Sequence, residues 1–254
     1  MTKKYELLQN DTVITPMGKT LYRIKALVAI GQFASPGDLG GYIEGAKNLD
    51  MSGNAWVFDD AYVVGNARVF GNARVYENAQ VFDNAQVFGN AQVWGGAQVR
   101  DNARVFDNAR VHRNAQVFGD AQVYGNARVW VAQVRDNAQV YGDAQVYGDA
   151  WVFGNAQVYG DARVFGDAHV FGDARVKKNN DIQWFTNVGP EHETLTVCKA
   201  KKGLFISQGS FSGSLDEFKI AVNEKHGANK YGSHYQALIN AIEIWFTNSD
   251  EKNC

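Results

Sequence analysis

Between Leu49 and Leu195 the chain contains no leucine, and the 254-residue sequence holds ten leucines against 28 valines. Leucine dominates helical cores whereas valine, stiff at its first side-chain torsion, prefers strands, so this absence excludes a helical middle. Proline is scarce too: three prolines among 26 glycines, with no Gly-X-Y period, exclude collagen. Cys198 and Cys254 are too few for a disulfide framework and read as reduced thiols of a cytosolic protein. An excess of one charge is also lacking. A net charge of −2 supplies no global basic field for duplex nucleic acid. The opening MTKKYELLQND has no signal-like apolar run, and nowhere do about 18 consecutive apolar residues occur, so no membrane span is expected and the cytoplasm is the expected location. With 45% apolar and 13% aromatic residues the chain is not a disordered one.

What is present is a repeat. From Ala55 to Val176 the pattern Ala-x-Val-x-x-x recurs 21 times, with valine at every sixth position to Val129 and again from Val134. Six residues at about 100° each would set successive valines roughly 120° apart around a helix, leaving no apolar stripe. As a strand, Ala-Gln-Val-Phe sends alanine and valine inward and glutamine and the ring outward, and Gly-Asn supplies a corner, both residues tolerating a left-handed backbone. One repeated screw operation then relates all units, which is a solenoid.

The small-residue and aliphatic pair two positions apart resembles the hexapeptide-repeat proteins. That resemblance implies a mainly β fold: a single-stranded, left-handed parallel β-helix of about seven triangular coils, three units or 18 residues to a coil. At about 4.8 Å between strands the prism would be roughly 34 Å long. A β-rich N-terminal cap (1–50), the repeat (51–179) and a small α+β C-terminal domain (180–254) divide the chain. The flanks Leu21-Tyr-Arg-Ile-Lys-Ala, Gly37-Asp-Leu-Gly-Gly-Tyr-Ile-Glu and Trp184-Phe-Thr-Asn-Val-Gly-Pro are similar to those of a family encoded by phages and prophages, often labelled acetyltransferases or polymer-forming proteins. A phage protein would act in the host cytoplasm.

In the flanks, Thr20 to Leu27 reads as a strand and Gly37 to Glu44 as a tight turn before the first coil. Ile182 to Thr186, Thr194 to Lys199 and Leu204 to Ser207 read as strands, with Lys199 to Gly203 a solvated hairpin turn. Two capping-box patterns, Ser214 with Glu217 and Ser233 with Gln236, predict two helices. Gly227 would stop the first, and Tyr235, Leu238, Ile239 and Ile242 give the second an apolar face.

Residues 18 apart stack in such a coil, sorting the outward positions into columns. The first face carries Trp56, Arg74, Gln92, Arg110, Arg128, Gln145 and Arg163 before its valines, and Phe58, Tyr76, Trp94, His112, Trp130, Tyr147 and Phe165 after them. In all, 16 of the 21 post-valine residues are Phe, Tyr or Trp. Such rings stabilise a sheet by stacking. Ladders on every corner also leave apolar surface, which predicts a homo-oligomer, a trimer by resemblance to hexapeptide transferases.

The sharpest constellation is Arg74, Trp94, Arg110, His112, Arg128 and Trp130, a histidine between tryptophans beside arginines, suited to a small anionic ligand or a nucleotide. Beside it, Val129 to Val134 is one residue short and Val131 occupies the corner. Gly18-Lys19-Thr20 lacks the upstream glycine of a phosphate-binding loop. No metal site is expected: His112 and His169 lie about three coils apart, and the corner residues Asp120, Asp143, Asp149 and Asp161 fit turn chemistry better than calcium.

Two functions follow. The first is a non-enzymatic binding or assembly scaffold without a cofactor, sequestering a host protein or small nucleotide in counter-defence. The second, implied by the resemblance, is an acyltransferase using coenzyme A, with His112 as its base. The 21 units lack the coil-interrupting loop that active relatives carry, which favours the scaffold.

Overall fold

The computed structural model describes residues 3–247, so Cys254 lies outside the described residues. Strands β1 (Tyr5–Ile14) and β2 (Thr20–Ala26) form an antiparallel hairpin. Gly18-Lys19-Thr20 belongs to its turn, where the Gly18 N–H donates to the Thr15 carbonyl at 2.8 Å and the Lys19 N–H to Thr15 Oγ1 at 3.1 Å. The segment expected to be a tight turn is instead strand β3 (Leu39–Ile43), antiparallel to β2 and parallel to β5 (Tyr62–Val63). Its glycines answer to close approach: a Cβ on Gly41 would lie 2.4 Å from the Ala61 carbonyl oxygen, and one on Gly40 2.6 Å from that of Val57.

The repeat forms 21 strands of two or three residues, from β4 (Trp56–Val57) to β24 (Arg175–Val176). They stack into three parallel faces of seven, each strand pairing with those three units before and after it. Every repeat alanine and valine from Ala55 to Val176 is 0% exposed, so the inward column is a continuous dry core. Each buried valine contributes roughly 1.5–3 kcal/mol. Parallel stacking begins before the sequence period does. Tyr42 pairs with Tyr62, Leu49 bridges Val69, and buried Asn48 donates to the Gly65 and Ala67 carbonyls at 3.0 and 2.9 Å. The prism therefore has about eight turns, one more than the repeat count alone gives.

At each corner the first residue adopts positive φ: glycine at most corners, aspartate at Asp59, Asp83, Asp101, Asp107 and Asp136, and Glu77, Arg113 and Val131 at the remaining three. The second corner residues form amide ladders on two edges. One runs from Asn54 through Asn72, Asn90, Asn108 and Asn126 to Asp143, at 3.0–3.3 Å per rung. The other runs from Asn66 through Asn84 and Asn102 to Asp120. Each Nδ2 donates to the next Oδ1, so Asp120 and Asp143 end ladders as acceptors. Across the shortened unit the register holds, with Gln116 opposite Gln133 and Arg128 opposite Gln145.

The C-terminal segment is a four-stranded antiparallel sheet, β25 (Ile182–Val188), β26 (Glu193–Lys199), β27 (Leu204–Gln208) and β28 (Phe211–Ser214), followed by α1 (Leu215–His226) and α2 (Lys230–Thr247). One side closes the last coil, where Trp184 meets Phe165 edge-on at 4.6 Å and Phe205 meets Phe171 at 5.0 Å. Cys198 is buried there, and burial pushes its thiol pKa up. The helices cover the other side through Phe218, Tyr235, Ile239 and Ile242. Ser214 and Glu217 form the expected capping box on α1. The second helix starts earlier than expected: Asn229 Oδ1 accepts from the Tyr231 and Gly232 N–H groups at 2.8 and 3.0 Å, leaving Ser233 inside the helix. Among the described residues no helix is long and apolar enough to cross a membrane.

Candidate functional site

Parallel in-register strands repeat a side chain at the strand spacing, so identical outward positions must stack. On the third face Phe70, Phe88, Phe106, Tyr124, Tyr141 and Tyr159 lie parallel, with centroids 4.7–5.1 Å apart. The second face instead alternates rings with guanidinium groups: Arg100 lies over Phe118 at 4.1 Å and Arg135 over Phe153 at 4.4 Å. Most rings are half-buried, each covering its neighbour's face and leaving an edge outward.

The first face carries the candidate site. Trp94 stacks on His112 at 4.3 Å with planes 4° apart, and His112 on Trp130 at 5.7 Å and 14°. Tyr147 and Phe165 continue the column, which ends on Trp184. Arg110 and Arg128 are register neighbours on β13 (Arg110–His112) and β16 (Arg128–Trp130), with Gln92 and Gln145 on the adjoining rungs. Both arginines are exposed.

Two residues of the first face, Arg74 and Trp56, meet the N-terminal segment. Arg74 is held by the N-terminal segment, its guanidinium 4.5 Å from the centre of the Phe33 ring. The ring stack also leaves no slot for a nucleobase, because an inserted ring would need twice the spacing found between neighbours. Trp56, outward by strand alternation, is fully buried beneath Tyr5, whose ring meets it edge-on at 6.1 Å. A cap crossing the first coil has covered it.

The residue that sequence reasoning missed is Arg113. It occupies the corner directly after His112 with φ 58°, exposed, where most corners carry glycine. That exception in the corner pattern was the available signal. Among the described residues Arg110, Arg113 and Arg128 have no ion pair, and the indole N–H groups of Trp94 and Trp130 donate to no protein acceptor. Burial, then the positive charges of Arg113, Arg110 and Arg128, lowers the His112 pKa, so the ring is neutral at pH 7. No carboxylate among the described residues hydrogen-bonds it, so nothing orients it as a general base would be oriented.

The same edge lacks an intact amide ladder. Its second corner residues are Asn78, Gly96 and Asn114, then the missing position, then Asp149. The coils nevertheless stay paired through the gap, and Trp130 stacks on Tyr147 at 4.4 Å. Among the described residues no three His, Cys, Asp or Glu side chains gather as a metal ion would require.

A family model described as YdcK beta solenoid repeat matches residues 67–83, 97–113, 121–137, 138–154 and 156–172. Each match spans nearly one turn of the prism, and together they cover about a third of the chain. No curated protein matches the chain. Sequence period and structure agree that this is a β-solenoid repeat protein.

Proposed function

We propose that this β-solenoid is a non-enzymatic binding scaffold whose first edge holds a compact, multiply charged anion of the nucleotide-phosphate kind. The observation that carries this reading is the gathering of Arg110, Arg113 and Arg128, none of them ion-paired among the described residues, around the His112 and Trp130 rungs. Three guanidinium groups on adjacent rungs suit clustered phosphate oxygens better than an extended acidic strand, because neutral Gln92 and Gln145 bound the cluster on either side. The stacked rings behind them hold the backbone rigid, so little ordering cost attends binding. Ring edges carry the positive part of the aromatic quadrupole and tolerate an anion.

Sequestration of a small nucleotide by its phosphates, with the base outside the ring stack, is the form of binding that this edge supports best, and it accords with the phage-type resemblance of the flanks. The ladder from Phe70 to Tyr159 lies on a different corner and leaves separate surface for self-association.

Native mass spectrometry of the purified protein, followed by release and identification of small molecules, tests this reading. The expected result is a co-purifying or added nucleoside diphosphate that binds saturably and is lost on Arg110→Gln with Arg128→Gln. A protein that neither carries nor saturably binds nucleotides would overturn it.

A further inference from the structure

Away from the solenoid, the C-terminal unit carries a half-open cavity of about 190 Å³ between its sheet and its helices. Three rings wall it at steep mutual angles. Phe211 and Phe218 lie 5.2 Å apart at 55°, and Phe218 and Tyr235 5.8 Å apart at 79°. The His226 ring, which also lines the cavity, lies over one face of Tyr235 at 5.2 Å and 26°.

The polar groups of the cavity are held with equal care. Gln208, 8% exposed, donates to the Tyr235 hydroxyl at 2.8 Å and to the Val188 carbonyl at 3.1 Å. Tyr235 thus accepts a hydrogen bond, while its own O–H donates to no protein group among the described residues. The Glu193 carboxylate rests against Gly209, where an added Cβ would fall 2.1 Å from Oε2; Gly209 has φ 54° and leaves room for it. At the rim Glu191 pairs with Lys225 at 3.1 Å, so that cation is already answered. Glu193 has no ion pair or hydrogen bond among the described residues. Lys225 and His226, which also line the cavity, close the last turn of α1, where the Asn223 and His226 carbonyls accept from the Gly227 and Asn229 N–H groups.

We infer that this cavity binds a small organic cation, a primary amine or a guanidinium, with its alkyl part on the ring-lined wall and its charge on Glu193. The rings take up the alkyl part as water is excluded, and an unpaired carboxylate at one wall fixes the charged end. A carboxylate ligand would meet Glu193 with like charge. The site is independent of the arginine edge and of the function proposed for it.

NMR titration of the full chain with n-butylamine, n-butylguanidine and butyrate tests the inference. The two cations should give saturable shifts of the Phe211, Phe218 and Tyr235 ring signals, and butyrate none. Glu193→Gln should weaken both at least tenfold. Because Glu193 packs on Gly209, Phe211→Leu serves as a second variant, removing one ring while keeping an apolar side chain, and should weaken both three- to tenfold. His112→Ala should change nothing, separating this site from the solenoid edge. Failure of either cation to saturate below about 10 mM, equal binding of butyrate, or unchanged affinity in both variants would overturn the inference.

Discussion

The imidazole of His112 lies 4.3 Å from the indole of Trp94, with the two planes 4° apart, while Arg113 follows it at the corner. Burial and the neighbouring guanidinium charges both disfavour the imidazolium, so the His112 pKa falls below its ordinary 6.5. In the unfolded chain the ring returns to that value and binds the proton first. Stability is therefore fully present above pH 6.5 and is lost as pH falls from there through the folded pKa. NMR titration of the ring should show a pKa below 6.5 that rises in Arg113→Ser. An unshifted value in that variant would contradict the role given to the charge.

Lys4 behaves with the same sign at higher pH. It is 3% exposed and donates to the Ala55 and Asp50 carbonyls at 2.6 and 3.1 Å, and burial lowers its pKa to about 8, with Asp50 opposing. Between pH 8 and 10.5 the unfolded chain binds the extra proton, so stability should rise through this window. Tyr5, pushed up to about 12 by burial, works against this above pH 10. Burial of the Cys198 thiol opposes this in every variant, so denaturant melts between pH 8 and 9.5 should show the wild type gaining about 1–2 kcal/mol relative to Lys4→Met.

Val111, between Val93 and Val129 in the inward column, is 0% exposed. The prism repeats one slot, and a longer side chain has nowhere to extend. Val111→Leu should destabilise by roughly 1–3 kcal/mol, measured by urea denaturation. Wild-type stability in that variant would show that the slot is not what keeps leucine out of the repeat.

Val131 holds φ 61° with a β-branched side chain, a conformation that glycine adopts without strain. Val131→Gly should raise stability by roughly 1 kcal/mol, read as an increase in melting temperature. A decrease would mean that the shortened corner needs the valine, which is 38% exposed, for contacts on the surface.

The sequence alone determined the solenoid and its inward alanine and valine columns, and the resemblance to hexapeptide-repeat proteins added the three faces and, with them, which rings stack on which. This much was legible because one screw operation relates every unit, so a spacing of 18 along the chain is itself a tertiary contact, and even the shortened unit only changes it to 17. The capping box on α1 was legible for the same reason: its partners are three residues apart. Where segments without the period meet, folding decided. Only packing of the N-terminal segment shows that Trp56 is covered, that Arg74 lies on Phe33, and that Gly40 and Gly41 begin a strand. At the second helix two nearby side chains could cap, and the backbone N–H groups went to Asn229. The Glu193 and Tyr235 cavity joins residues more than forty positions apart. No local rule connects them, because their neighbourhood exists only once the sheet and helices close on each other.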